Sequence, residues 1–293
     1  DIDNLKLDDE KTFKLFAEGK MTGVFQLESR VAQSTSRSLK PKRFEDIVAL
    51  VALIRPGPLG AGMHNEFADR ANNRKEIEYL HNDLESILNE TYGVILYQEQ
   101  VMQIAEKIAG FNLQEADNLR VAMGKKIPKV MEEQRKKFTD GAVSNNYSEQ
   151  FAIELFDQIA YFAGYGFNKS HSVPYALLAY QTAYLKSNYP AEYIAACLTA
   201  VKRDKDRTAI FLSEARDMGV KVSTPDINLS SSDFTVNDNE ILFGLSAVRN
   251  VGDITADKIV LERESNGEFE SIEDFLSRID SRSLNKRGVE ALI

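Results

Sequence analysis

Apolar positions recur along most of the chain at the spacing of a helix with one buried face. Ile47, Leu50, Val51 and Ile54 fall at i, i+3, i+4 and i+7, so Phe44 to Ile54 is predicted to be a helix packed on one side. Val101, Ile104, Ala105 and Ile108 repeat the spacing, and Gly110 ends it. Further helices are predicted at Lys11 to Phe16, behind a capping approach from Asn4, at Phe151 to Phe162, and in the apolar run from Tyr193 to Leu198. A charged helix from Lys205 runs to Met218 and stops at Gly219. Another helix runs to about Asn188, with Leu177, Gln181, Tyr184 and Leu185 on its packing face. Period-two stretches are few. Gly23 to Ser29 reads as a short strand leading into a helix from Arg30, Val220 to Val222 as a second strand, and Phe234 to Phe243 as a hairpin turning at Asn237 to Asn239. Ser230 to Ser232 reads as a linker. The pattern is that of a mainly α chain with a small β element.

Composition narrows the classes. A chain of 293 residues with 43% hydrophobic content buries a sizeable core and divides into more than one domain. Its net charge of -9 excludes a generally basic nucleic-acid coat, so any contact with DNA has to come from local patches. The single Cys197 excludes an internal disulfide and a cysteine-rich zinc site, and its apolar surroundings predict a buried thiol. His64 and His81 have no supporting ligands nearby in sequence and are expected at the surface. With no signal peptide and no membrane-length apolar run, a cytoplasmic location is expected. The start at Asp1 and the end inside a helical pattern at Ile293 are those expected of an excised fragment.

The chemistry concentrates in three places. In Phe162-Ala-Gly-Tyr-Gly-Phe-Asn-Lys-Ser-His171, Gly164 and Gly166 allow a sharp turn that presents Asn168, Lys169, Ser170 and His171 at a helix start. Unpaired amides and the positive dipole end, reinforced by a lysine and an imidazole, face an anion such as a phosphate. Pro174 is expected in the first turn. The alternative is an ordinary connection between helices with a solvated lysine and a structural histidine. The second place is Asn118 to Lys137, where Arg120, Lys125, Lys126, Lys129, Arg135, Lys136 and Lys137 face only Glu132 and Glu133. Gly124 before two lysines permits close approach to an anion, whereas Lys129 to Lys137 reads as a solvated helix. Third, Arg55-Pro-Gly-Pro-Leu59 holds Arg55 at a rigid corner. Gln98 and Gln100 stand at a helix start, either as caps or as contacts to bases. Seven of eleven tyrosines fall between Tyr161 and Tyr193. Most of these are packing residues, and Tyr175, one turn past His171, is a candidate for stacking on a base pair. Asp1-Ile-Asp3 imitates the paired aspartates of two-metal sites but reads as the approach to a capped helix.

Several strings resemble one family in its own order. These are Gly23-Val-Phe-Gln-Leu-Glu-Ser29, Arg55-Pro-Gly-Pro-Leu59, Tyr92-Gly-Val-Ile-Leu-Tyr-Gln-Glu-Gln100, Asn118-Leu-Arg-Val-Ala-Met-Gly-Lys-Lys126, Ala163-Gly-Tyr-Gly-Phe-Asn-Lys-Ser-His171 and Tyr180-Gln-Thr-Ala-Tyr-Leu-Lys186. Together they are similar to the bacterial DNA polymerase III alpha subunits, the C-family replicative polymerases. Arg30 to Ser38 is richer in Ser and Thr than is usual there. Gly244 to Gly252, with Ala256 and Ile259, resembles a helix-hairpin-helix element whose first hairpin glycine is Asn250 here, and Asn285-Lys-Arg-Gly288 resembles the start of its second half.

The resemblance implies a connection from the palm over residues 1–30, a helical fingers domain over 31–222, and a β-hairpin with the start of a tandem helix-hairpin-helix domain over 223–293. It implies a bacterial, replisome-bound DNA-directed DNA polymerase that extends a primer 3' end with dNTPs. The Mg2+-binding palm aspartates lie upstream of this chain, which therefore holds no catalytic or metal residue and is inactive alone. Arg120, Lys125, Lys126, Asn168, Lys169, Ser170, His171 and Tyr175 are the implied nucleotide and phosphate contacts. Arg55, Gln98, Arg249, Val251 and Gly252 are the implied DNA contacts. Implied partners are primer-template DNA, dNTPs, and, through the rest of the protein, the sliding clamp and other replisome subunits, with no membrane. An error-prone polymerase of the same family and a non-catalytic DNA-binding or partner-binding helical module remain as alternatives. Asn168-Lys-Ser170 between Phe167 and His171 resembles the replicative form better.

Overall fold

The computed structural model describes residues 1–125, 127–162, 165–280 and 284–292, and the chain divides into two compact units, Asp1–Ala183 and Tyr184–Ile293. The division falls between Ala183 and Tyr184, whereas the boundary implied by the resemblance is at 222–223. Lys126, Ala163, Gly164 and Ile293 lie outside the described residues.

The first unit is helical: α1 (Glu10–Glu18), α2 (Arg30–Leu39), α3 (Phe44–Leu53), α4 (Pro56–Gly60), α5 (Met63–Ala71), α6 (Glu85–Leu88), α7 (Gln98–Ala109), α8 (Leu113–Lys125), α9 (Pro128–Ser144) and α10 (Glu149–Phe162), then the start of α11 (Lys169–Asn188). Asp9 caps α1 by accepting from the Thr12 amide at 2.8 Å, and Gly19 and Gly110 close α1 and α7 in the left-handed conformation. Asp1 caps a short 3-10 turn, its side chain accepting from the Asp3 amide at 3.1 Å.

Four expectations change in this unit. Gly23 to Ser29 is not a strand but a run of turns, with Val24 N–H donating to Met21 O and Leu27 N–H to Val24 O. The buried Met21, Val24 and Leu27 stand three apart, which is the period of turns and not of a strand. Helix α3 is buried on every side from Asp46 to Leu53, as a helix apolar around its whole circumference must be. The buried face of α11 in this unit is Ser172, Ala176, Ala179, Tyr180 and Ala183, while Leu177 and Leu178 are exposed. Small residues let the helix approach its neighbours closely, and Tyr180 adds hydrogen bonds to the Lys6 carbonyl and from the Asp9 amide. His64 is half-buried, not exposed, and among the described residues its Nδ1 has no hydrogen-bond partner.

The second unit contains the end of α11, then α12 (Pro190–Val201) and α13 (Lys205–Asp217) packed beside a small sheet of β1 (Lys221–Val222), β2 (Thr235–Asn237) and β3 (Glu240–Leu242), in the order β1-β3-β2. β2 and β3 form the expected antiparallel hairpin, with Asp238 and Asn239 at positive φ in its turn, and β1 adds in parallel to β3. Cys197 is half-buried against this core and not fully enclosed. Ser230 to Ser232 is no free linker: Ser230 is buried, and the Ser231 and Ser232 carbonyls accept from the Leu245 and Ser246 amides. A second core holds α14 (Asp253–Asn266), α15 (Ile272–Arg278) and α16 (Lys286–Leu292) through Leu245, Val251, Ile259, Phe269 and Phe275.

Candidate functional site

The site in the first unit is built where two helices begin side by side. Phe167 pairs with Tyr97 in a short parallel bridge: the Phe167 amide donates to Leu96 O at 3.2 Å, and the Gln98 amide donates to Phe167 O at 2.9 Å. This bridge brings the N-termini of α7 and α11 together. The Gln98 side chain donates to Gly166 O at 3.0 Å, a cap-like role. Gln100 is buried, accepting from the Leu96 and Tyr97 amides and donating to Thr91 Oγ1, so it braces the loop and does not face a base. Gly166 is not in the left-handed region. It is small because a Cβ there would stand 3.1 Å from the Phe162 ring and 3.3 Å from Gln98 Cγ.

Asn168 caps α11, its Oδ1 accepting from the His171 amide at 2.8 Å. The next two amides are not open: Lys169 N–H donates to both oxygens of Glu99 at 3.0 Å, and Ser170 N–H lies 3.4 Å from Glu99 Oε1. Lys169 Nζ makes an ion pair with Glu90 at 2.7 Å and stands 5.6 Å from the centre of the Tyr97 ring. Burial raises the pKa of the Tyr97 hydroxyl, and the charges of Glu90 and Glu99 raise it further. The helix start thus carries internal carboxylates at the positions expected to face an anion. Because α11 begins at Lys169, Pro174 sits inside the helix and not in its first turn, leaving Ser170 O without that helical donor.

Outward from this start runs a ladder of flat groups. The Arg55 guanidinium lies 4.9 Å from the Phe167 ring centre, Phe167 stands 5.6 Å from His171, His171 4.3 Å from Tyr175, and Tyr175 5.5 Å from Phe25. Arg55 and His171 are exposed, and the other rings are half-buried. Arg55 is the N-cap residue of α4, whose Gly57 is pressed against Tyr165, so the Arg55 corner rests on the turn before α11.

The basic segment is less of a loop than expected. Gly124 lies within the last turn of α8 with no left-handed φ. Arg120 pairs with Asp117 at 2.8 Å, and Lys125 is exposed. Lys137 pairs with Glu115 at 2.7 Å, Lys136 pairs with Asp140, and Arg135 pairs with Asp157, which accords with a solvated helix there. Among the described residues, no hydrogen bond, ion pair or ring contact joins Arg120 or Lys125 to the ladder.

In the second unit, Asn250 takes the left-handed conformation (φ 65°) that the hairpin glycine would supply, and Gly252 is the N-cap residue of α14. Arg249 and Gly252 are exposed. Val251 is not available as a contact: its side chain is buried and its amide donates to Val248 O at 3.1 Å. Asp253, the first residue of α14, is held by Lys202 and Arg203, and their hydrogen bonds lower its pKa to about 2.

Glu90, Glu99, Phe25 and Phe167 were not anticipated as parts of the site. Glu99 is an acidic residue in the first turn of α7, which is a local signal, but nothing local says that it serves a second helix.

Comparison with known proteins fits this architecture. Residues 1–146 match the family described as bacterial DNA polymerase III alpha subunit finger domain, and residues 219–293 match the helix-hairpin-helix motif. The class is therefore a polymerase finger region followed by a helix-hairpin-helix region. DNA polymerase III subunit alpha of Saccharopolyspora erythraea is 48% identical over the whole chain, that of Thermus aquaticus also 48%, and that of Haemophilus influenzae 46%. The chain belongs to the bacterial DNA polymerase III alpha subunit family. It spans about a quarter of the length of these relatives, 25%, 24% and 26% respectively. Among the described residues no group of three or more His, Cys, Asp or Glu is placed to hold a metal ion, and no helix is long and apolar enough to cross a membrane.

Proposed function

We propose that this chain binds the incoming deoxynucleoside triphosphate and primer-template DNA for a replicative DNA polymerase that extends a primer 3' end. The observation that carries this reading is the ladder from Arg55 through Phe167 and His171 to Tyr175 beside Lys169. A flat aromatic face can stack on any base, as a template-directed enzyme requires, and the cations beside these rings suit phosphate. In this reading Lys169 and, from α8, Arg120 and Lys125, with Lys126 next in sequence, contribute positive charge near the triphosphate, and His171 offers its imidazole to it. Arg249 and the Gly252 amide meet the DNA backbone without reading sequence. The fingers region extends to about residue 222, and the DNA-binding region follows it.

Chemistry belongs to the palm of the whole protein, where Mg2+ would assist attack of the primer hydroxyl on the α-phosphate. This chain positions the nucleotide and offsets its charge, and it is inactive by itself. The sliding clamp and other replisome subunits are partners of the whole cytoplasmic protein.

The test is binding of a fluorescent dNTP and of a primer-template duplex across a salt series, comparing wild type with Tyr175→Ala and with Lys125→Glu/Lys169→Glu. The reading expects Tyr175→Ala to weaken dNTP binding and the charge reversals to flatten the salt dependence. Unchanged binding in both variants would instead favour a helical module with another partner.

A further inference from the structure

We propose that Glu90 is an internal competitor of the nucleotide: its carboxylate occupies the Lys169 ammonium in the unliganded protein and is displaced by a phosphate group of the incoming triphosphate. This rests on the reading of Lys169 as a triphosphate contact.

The two carboxylates at the start of α11 are held very differently. Glu99 takes backbone amides, accepting from Lys169 N–H on both oxygens, and it stands in the first turn of α7, where that helix also favours negative charge. Removing it would leave amides at a helix start without an acceptor, so Glu99 stays in place and fixes the direction in which α11 begins. Among the described residues, the Glu90 carboxylate takes only a side chain, the Lys169 ammonium, on both oxygens at 2.7 and 2.8 Å. Lys169 and Glu90 are 36% and 31% exposed, and a pair so open to water is weak and readily exchanged. Lys169 has a long, flexible stem, so its ammonium can turn to a new anion while its amide remains fixed on Glu99.

Space for the exchange exists. A cavity of about 160 Å³ is lined by Ser86, Asn89, Glu90, Glu99, Gln103 and Lys169, so the ion pair lies on a wall and not in a sealed core. Glu90 is also positioned apart from its pairing with Lys169, because its carbonyl accepts from Arg43 Nη2 at 2.7 Å. Its carboxylate can therefore leave Lys169 without moving its own backbone. A triphosphate carries more charge than one carboxylate and prevails at Lys169 when it arrives, whereas a lone carboxylate or chloride does not. Glu90 thus keeps Lys169 oriented and shields it from stray anions between nucleotides.

The experiment is titration of a fluorescent dNTP into the intact protein carrying Glu90→Gln, Lys169→Gln, or both. The expected result is binding about threefold to fivefold tighter in Glu90→Gln, as follows from loss of a half-exposed competing pair. Lys169→Gln should bind more weakly, and the double variant should match Lys169→Gln alone. Glu90→Asp, one methylene shorter, should tighten binding in the same direction, which guards against a folding effect peculiar to one substitution. If Lys169→Gln weakens binding while Glu90→Gln and Glu90→Asp leave it unchanged or weaken it, competition is overturned and the triphosphate reading of Lys169 survives. If Lys169→Gln leaves binding unchanged, the triphosphate reading of Lys169 fails and this proposal fails with it.

Discussion

The carboxylate of Glu99 accepts from the backbone amide of Lys169 on both oxygens at 3.0 Å, across 70 residues of sequence. One acidic side chain in the first turn of α7 therefore also caps α11, and the Tyr97–Phe167 bridge sets the two helix starts close enough for it to do so.

Glu99→Gln keeps one acceptor oxygen but loses the charge, so it should destabilise the protein by about 1 kcal/mol, the usual scale of a lost cap. Glu99→Ala should cost more, up to about 2 kcal/mol. Urea midpoints of the two variants, read by circular dichroism, check the order. Equal midpoints for both variants and the wild type would mean that the Glu99 contact contributes nothing to stability.

Gly141 in α9 faces the end of α7 so closely that a Cβ would stand 2.2 Å from the Ala109 carbonyl oxygen. Gly141→Ala should therefore destabilise by about 1–3 kcal/mol through overpacking, despite alanine's better helix propensity. Gly124, with no described residue within 4 Å of its Cβ position, is the control: Gly124→Ala should raise stability by up to about 1 kcal/mol. Thermal melts of the two variants should move in opposite directions.

Asn250 occupies the left-handed region at φ 65° in the turn before α14. Asn250→Gly should be neutral or slightly stabilising, and Asn250→Ala should lose about 1 kcal/mol because a Cβ without a hydrogen-bonding group is strained there. Denaturant unfolding of the pair tests the conformation separately from any effect on DNA binding.

Asp253 is held well below its ordinary value, at about 2 against 3.8, first by its hydrogen bonds from Lys202 and Arg203. A carboxyl depressed on folding stabilises fully above its unfolded value and loses that contribution as pH falls through the folded one. The wild type should therefore lose stability between about pH 4 and pH 2 more steeply than Asp253→Asn. Acid titration of the unfolding midpoint in both proteins checks the slope. Parallel curves would show that Asp253 is not held in solution as it is here.

Much of this molecule was legible in the chain itself. The helical spacing of Val101, Ile104, Ala105 and Ile108, the Gly110 stop, and the polar turn between β2 and β3 are local signals, and local backbone chemistry was enough to read them. The strings around Arg55, Gln98 and Lys169 likewise marked the family. Where local pattern was ambiguous it failed: Val24 and Leu27, which suggested a strand, lie with Met21 in a run of turns, and α11 packs through alanines where leucines were expected.

The sequence by itself determined the helical class, the helices with a clear apolar repeat and the polar start of α11, because each depends on neighbours within a few positions. Only the tertiary structure decided what that start faces. Glu90 and Glu99 reach Lys169 from 79 and 70 residues away, and Arg55 reaches Phe167 from a different helix start. Which of the chain's carboxylates meets which amide depends on how the helices pack, and that packing is set by the whole buried core.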